Sequence, residues 1–192
     1  MRHQLFSARP VSTEFRTIGT RVKEAIARMT ELPSVETELA TIYERESLGS
    51  GQLRRDEALL EHNPVHDGIQ VAITIPFDGD IKSLILGPST SAGTRSQLWY
   101  GCSVTERDHY SKDTPDNQTR VRLTKTFTNP TADEVKAWGK ELTDRIEATL
   151  AKVNEEIAAA NSQLRDEVEA QLKARKATLD AGAGLGDLGT GI

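Results

Sequence analysis

The chain has 192 residues, and its 24 Lys and Arg stand against 29 Asp and Glu for a net charge of −5, which argues against a nucleic-acid partner held through a basic face. Hydrophobic residues at 36%, charged residues at 28% and aromatic residues at 5% suit a modest core with a large solvated surface, and disfavour an aromatic stacking platform. The single cysteine, Cys102, allows neither an internal disulfide nor a structural zinc site, and no apolar run resembles a signal peptide or reaches the roughly 20 residues of a membrane span, so a cytoplasmic protein with no membrane segment is expected.

Ser12 and Thr13, after Pro10, offer N-caps to a first helix, whose Phe15, Ile18, Val22, Ile26 and Met29 step by three and four along one face before Pro33. Ser34 caps a second helix through Val35, Leu39, Ile42 and Tyr43, which Gly49-Ser50-Gly51 interrupts. A third helical piece is expected over 52–62, carrying Leu53, Leu59 and Leu60, with Asn63-Pro64 closing it because the residue before proline is pushed out of the α region.

The period then changes to two. Ile69, Val71, Ile73 and Ile75 alternate as in a half-buried strand, Phe77-Asp78-Gly79-Asp80 is turn chemistry, and 81–86 is expected to return as the partner strand. Leu98, Tyr100, Cys102 and Val104 mark a third strand, and Val121, Leu123, Lys125 and Phe127 a fourth. Four strands with no helix between them predict an antiparallel meander with one face covered by helices.

Thr131 and Glu134 form a capping box, with early acids at the positive end of the helix dipole. The helix is expected to run from 131 to 181, weakened only at Gly139 (about 1 kcal/mol relative to alanine) and stopped by Gly182. Val135, Ile146, Ile157, Val168 and Leu179 recur at intervals of eleven, as do Leu142, Val153 and Leu164, with Trp138, Leu150, Ala160 and Leu172 filling the same stripe. Eleven residues over three turns, about 3.67 per turn, keep the stripe nearly straight with a slight right-handed drift.

Left bare, such a stripe would be unfavourable in water, and by length the N-terminal helices cover about half of it. The sequence therefore predicts a homo-oligomer, or a partner protein, packed coiled-coil fashion through Val135, Trp138, Leu142, Ile146, Leu150, Val153, Ile157, Asn161, Leu164, Val168, Leu172 and Leu179. Asn154 and Asn161 beside the stripe either fix its register as buried polar groups or lie solvated on its edge.

These elements predict an α+β fold. Its body spans 1–128, with helices within 13–62 and a small antiparallel sheet of about four strands within 69–127, packed by the N-terminal helices. A long amphipathic helix over 131–181 and a flexible tail over 182–192 follow.

Candidate chemistry is sparse. Gly184-Leu185-Gly186-Asp187-Leu188-Gly189 matches the dinucleotide fingerprint, but a helix instead of a strand enters it, so it reads as tail. His62 and His66 are separated by Pro64, which removes the helical geometry of a metal pair; Asp67, Asp108 and His109 would complete a site only if the fold gathered them. Cys102 reads as a small hydrophobe in a strand, and Lys173, Arg175 and Lys176 as cations offsetting a helix dipole. No catalytic, cofactor-binding or metal-ligating residue is predicted.

Ile75-Pro76-Phe77-Asp78-Gly79-Asp80 followed by Pro88-Ser89-Thr90, together with Asn161-x-x-Leu164 and Arg175-Lys176-x-x-Leu179 before Leu188-Gly189, resemble a module of uncharacterised multidomain bacterial proteins over roughly residues 69–189. There the module stands before an effector domain of TIR or nuclease type, of the sort used in antiphage defence. With no effector domain after Ile192, the resemblance implies a sensing or assembly part and carries over no catalytic residue. Three functions follow as expectations. The foremost is a non-enzymatic interaction or assembly protein. The others are a small hydrolase or nuclease whose residues gather only in three dimensions, and a nucleic-acid sensor using Arg120, Arg122 and Lys125 on one strand.

Overall fold

The computed structural model describes residues 2–6, 9–89, 102–105 and 119–186. The fold is α+β, with an antiparallel sheet and a long C-terminal helix. It divides into two compact units, one of Met1–Val11 with Leu48–Ile157 and one of Ser12–Ser47 with Ala158–Ile192.

The first unit holds the sheet. Its strands are β1 (Arg2–His3), β2 (Gly51–Leu53), β3 (Leu59–Val65), β4 (Gly68–Gly79), β5 (Cys102–Thr105) and β6 (Thr119–Phe127). They lie in the order β1-β5-β6-β4, and both β2 and β3 pair along the far edge of β4. The expected meander is thus corrected. β6 pairs with β4 as well as β5, with Ile75 opposite Val121 and Ile73 opposite Leu123, and β6 is long enough to match nearly all of β4.

On one face of the sheet Ile75, Phe77, Cys102, Val104, Val121 and Leu123 are buried, as their alternation predicts. The first part of α4 (Ala132–Gly186) contributes Ile146, Leu150, Val153 and Ile157 to the same unit's core. Gly139 lets the helix lie close to the sheet, since a Cβ there would meet the terminal methyl of Ile73. The helix runs unbroken through that glycine. Its start is the predicted capping box: Glu134 N–H donates to Thr131 Oγ1 (3.2 Å) and Thr131 N–H donates to the Glu134 carboxylate (2.7 Å).

Two expectations in this unit are overturned. Residues 52–62 are not helical; they form β2, a 3-10 turn (Arg55–Glu57) and the start of β3. Their leucines fit a helical period, but the edge of β4 offers a backbone ladder that local propensity cannot match. Pro76 explains the break between β2 and β3. Its carbonyl accepts from Arg54 N–H (2.9 Å), so its ring nitrogen faces the same edge with no proton to give. The chain leaves the ladder there, and Arg55 anchors the excursion to Asp144 (2.7 Å) and Glu147 (3.2 Å) of α4.

The expected strand over 81–86 is instead a short helix, α3 (Lys82–Ile85). β4 continues through the supposed turn to Gly79, and the Asp80 carboxylate then accepts from Lys82 N–H (2.9 Å) while its carbonyl accepts from the Ser83 hydroxyl (2.7 Å), starting a helical turn.

The second unit is helical. α1 (Val11–Ala27) begins before the proposed caps Ser12 and Thr13, and α2 (Val35–Glu46) starts at the predicted cap, Ser34 Oγ accepting from Thr37 N–H (3.2 Å). Ile18, Val22 and Ile26 of α1, Val35 and Ile42 of α2, and Leu164, Val168 and Leu172 of α4 are its buried core. Arg175 donates through Nε and Nη2 to the Met29 carbonyl beyond the end of α1, and the Arg165 guanidinium lies 5.7 Å from the Tyr43 ring centroid. α4 is helical through Gly186, past the expected stop at Gly182, whose neighbourhood is open space; residues 187–192 of the expected tail lie outside the described residues. Among the described residues no helix is long and apolar enough to cross a membrane.

Candidate interaction surface

The predicted interface stripe is largely occupied. Ile146, Leu150, Val153, Ile157, Leu164, Val168 and Leu172 are buried within the single chain, and Val135, Trp138, Leu142, Asn161 and Leu179 are half-buried. Trp138 stands edge-on to Phe127 with ring centroids 5.5 Å apart. The premise of a bare stripe awaiting a second copy is therefore not met between Ile146 and Leu172.

Asn154 has an intramolecular task. Its Oδ1 accepts from Gly51 N–H (3.2 Å) and its Nδ2 donates to the Gly51 carbonyl (2.8 Å), so the amide completes both free backbone groups of one residue in β2. Two residues on, Glu156 accepts from Ser89 N–H (2.9 Å) and from the Ser89 hydroxyl (2.7 Å). Gly51 cannot carry a side chain there, because a Cβ would overlap the Phe77 ring.

Among the described residues, the strand left open is β3. All seven of its residues are exposed, and Leu59 (60% exposed), Leu60 (54%) and Val65 (40%) are the exposed large hydrophobics among the described residues. β3 folds back on β4 through the two-residue turn His66-Asp67, with Val65 opposite Gly68. Gly68 is required at the return, at φ +147, because a Cβ would strike the Phe127 carbonyl.

The backbone direction of β3 follows from this register. Val65 and Gly68 close the two-residue turn as a hydrogen-bonded pair, and the Pro76 carbonyl independently shows the even-numbered residues of β4 facing the β3 edge. Leu59, Glu61, Asn63 and Val65 therefore bond to β4. Leu60, His62 and Pro64 aim their backbone groups outward, and Pro64 has no N–H to leave unsatisfied.

The sheet's other face is polar, with Ser103, Arg120, Arg122, Thr124 and Thr126 across β5 and β6. Arg122 reaches over β4 to Glu61 of β3 (3.3 Å). The three cations proposed to read nucleic acid do not form one patch. Lys125 is odd where Arg120 and Arg122 are even, so it points to the opposite face, where its Nζ lies 4.6 Å from the Phe127 ring centroid.

No family model matches the chain, and no curated protein or solved structure matches it.

The remaining candidates are placed as follows. His62 stands on β3 and His66 in the turn beside Asp67 (3.8 Å), both exposed; Asp108 and His109 lie outside the described residues, within which no three potential ligands cluster. Cys102 is buried on β5, and burial pushes its thiol up to about 11, with Arg145 offsetting only part of the effect. Lys173 pairs with Glu169 (2.5 Å) and Lys176 with Asp180 (3.1 Å), so with Arg175 bound to Met29 the basic cluster is consumed internally. Of the fingerprint-like tail, 184–186 is the last part of α4, and 187–189 lies outside the described residues.

The β3 surface was legible in principle. Leu60, His62 and Pro64 alternate, and a two-residue turn with glycine after it precedes an unmistakable strand. A helical period shared by Leu53, Leu59 and Leu60 concealed it.

Proposed function

We propose that this chain is a non-enzymatic interaction protein that engages an extended protein segment along the outward edge of β3. One observation carries this reading: the exposed large hydrophobics of the described residues gather on a single strand that, among those residues, is hydrogen-bonded on one side only. An exposed apolar edge of this kind invites strand addition, in which backbone bonds supply affinity and alternate side chains supply selectivity. α4 serves here as core, with its buried stripe spent inside the chain. A cytoplasmic assembly part of a bacterial defence-type system is the setting that the resemblance at 75–80 and 88–90 implies.

The test is a photo-activatable cross-linker placed at Leu60 and, as a control, at the exposed Lys140 of α4. Illumination in the intact cell is expected to yield a discrete adduct from position 60 and none from position 140. Absence of any adduct at 60 overturns the interaction reading.

A further inference from the structure

We infer that the segment received by β3 is β3 of a second copy, paired antiparallel about a twofold axis through His62. This rests on the interaction reading above and names its partner.

Only Leu60, His62 and Pro64 present backbone groups to the free edge, and an incoming antiparallel strand must oppose outward-facing residues to outward-facing residues. Registers centred between two residues are thereby excluded, leaving centres on single residues. Centring on Glu61 sets Glu61 directly against the partner's Glu61, and like charges directly opposite are destabilising. Centring on Asn63 sets Glu61 against the partner's Val65 and leaves Leu59 facing the partner's Asp67.

Centring on His62 avoids each of these mismatches. Leu59 then opposes the partner's Val65, Leu60 the partner's Pro64, and Glu61 the partner's Asn63. The three exposed hydrophobics thus all find apolar partners, and directly opposed residues lie on the same face of the joined sheet. The backbone closes as well. The two His62 residues exchange a pair of N–H to carbonyl bonds, and each Leu60 N–H donates to the partner's Pro64 carbonyl. Only the Leu60 carbonyl meets no donor, because proline has none, and it remains in contact with water. An edge of seven residues buries less than about 1,000 Å², so the association is a reversible one that forms at high protein concentration.

Single-cysteine substitutions read the register directly. Residues opposed as a hydrogen-bonded pair have Cα atoms about 5.5 Å apart, inside the roughly 4.4–6.8 Å range of disulfides. In the purified full chain under mild oxidation, His62→Cys is expected to give a dimer-mass band on a non-reducing gel at least about tenfold faster than Glu61→Cys. A mixture of Leu59→Cys and Val65→Cys chains should cross-link faster than either alone. Wild type, whose native thiol is the buried Cys102, serves as the blank, and thermal melting confirms that each exposed-site variant folds. Faster cross-linking at Glu61→Cys overturns the register. A monomeric mass by light scattering at high concentration, with no cross-linking at any position, overturns self-pairing. The photo-cross-linked adduct separates the two readings: twice the chain's mass supports self-pairing, another mass overturns it while sparing the interaction reading, and no adduct overturns both.

Discussion

At the residue scale, side chains of α4 finish backbone groups that the sheet leaves open. Asn154 is the clearest case, because its amide meets both the N–H and the carbonyl of Gly51. Asn154→Ala strips both partners from a half-buried backbone and should lower the unfolding free energy by about 1–3 kcal/mol, read from urea denaturation with an unchanged m-value. Gly51→Ala is expected to be at least as severe, since its methyl displaces an aromatic ring that is itself buried. Cys102 supplies a chemical check. With the thiol pushed up to about 11 by burial, labelling by a thiol reagent at pH 8 should be more than about 100-fold slower in the native chain than in denaturant. Comparable rates would mean that the strand carrying it is not packed.

At the scale of elements, α4 shows how the period of a helix is legible in sequence while the occupant of its apolar face is not, since Ile146 to Leu172 of the stripe are already buried within the chain. The eleven-residue series puts Ile146, Ile157 and Val168 on a buried face, as its spacing requires. Ile157→Asp should cost at least about 3 kcal/mol, because the carboxylate enters a core with no partner arranged for it; an unchanged melting temperature would sink this placement. Gly139 presents a balance of two effects. Alanine in a helix interior gains about 1 kcal/mol over glycine, but here its methyl must push aside the Cδ1 of Ile73. In an Ile73→Val background the obstruction is gone, so Gly139→Ala should stabilise by about 0.5–1 kcal/mol there and by less in wild type. A double-mutant cycle in denaturant gives both numbers.

At the scale of the whole molecule, paired carboxylates make the fold sensitive to acid. Burial of Glu46 works to raise its pKa, but hydrogen bonds and charge from Arg21 and Arg45 outweigh it and hold the carboxyl below its ordinary range. Glu134 is lowered by the Thr131 amide and hydroxyl, and Asp144 by Lys140 and Arg55. For a group held lower in the folded than in the unfolded chain, the stabilisation is complete above the unfolded pKa and is lost as pH falls through the folded one. The melting temperature should therefore be flat near neutrality and fall as pH drops below about 4. Glu46→Gln should lower stability at pH 7 and flatten that decline, which melting curves over the acid range would show.

Local order was written into single stretches of sequence. Thr131 with Glu134 starts α4, Ser34 starts α2, and the alternation from Ile69 to Ile75 marks β4, because capping and side-chain period are settled within a few residues of chain. Placement of the polar and apolar surplus was not. Whether Leu59 and Leu60 belong to a helix or to an edge strand depends on whether a neighbouring ladder is open, and the open ladder belongs to β4. Whether the stripe on α4 faces a partner depends on how much of it the same chain already covers, and the chain covers it from Ile146 to Leu172. Periodicity states that a face must be buried, whereas only the assembled fold decides by what, since burial is a property of contacts between distant segments.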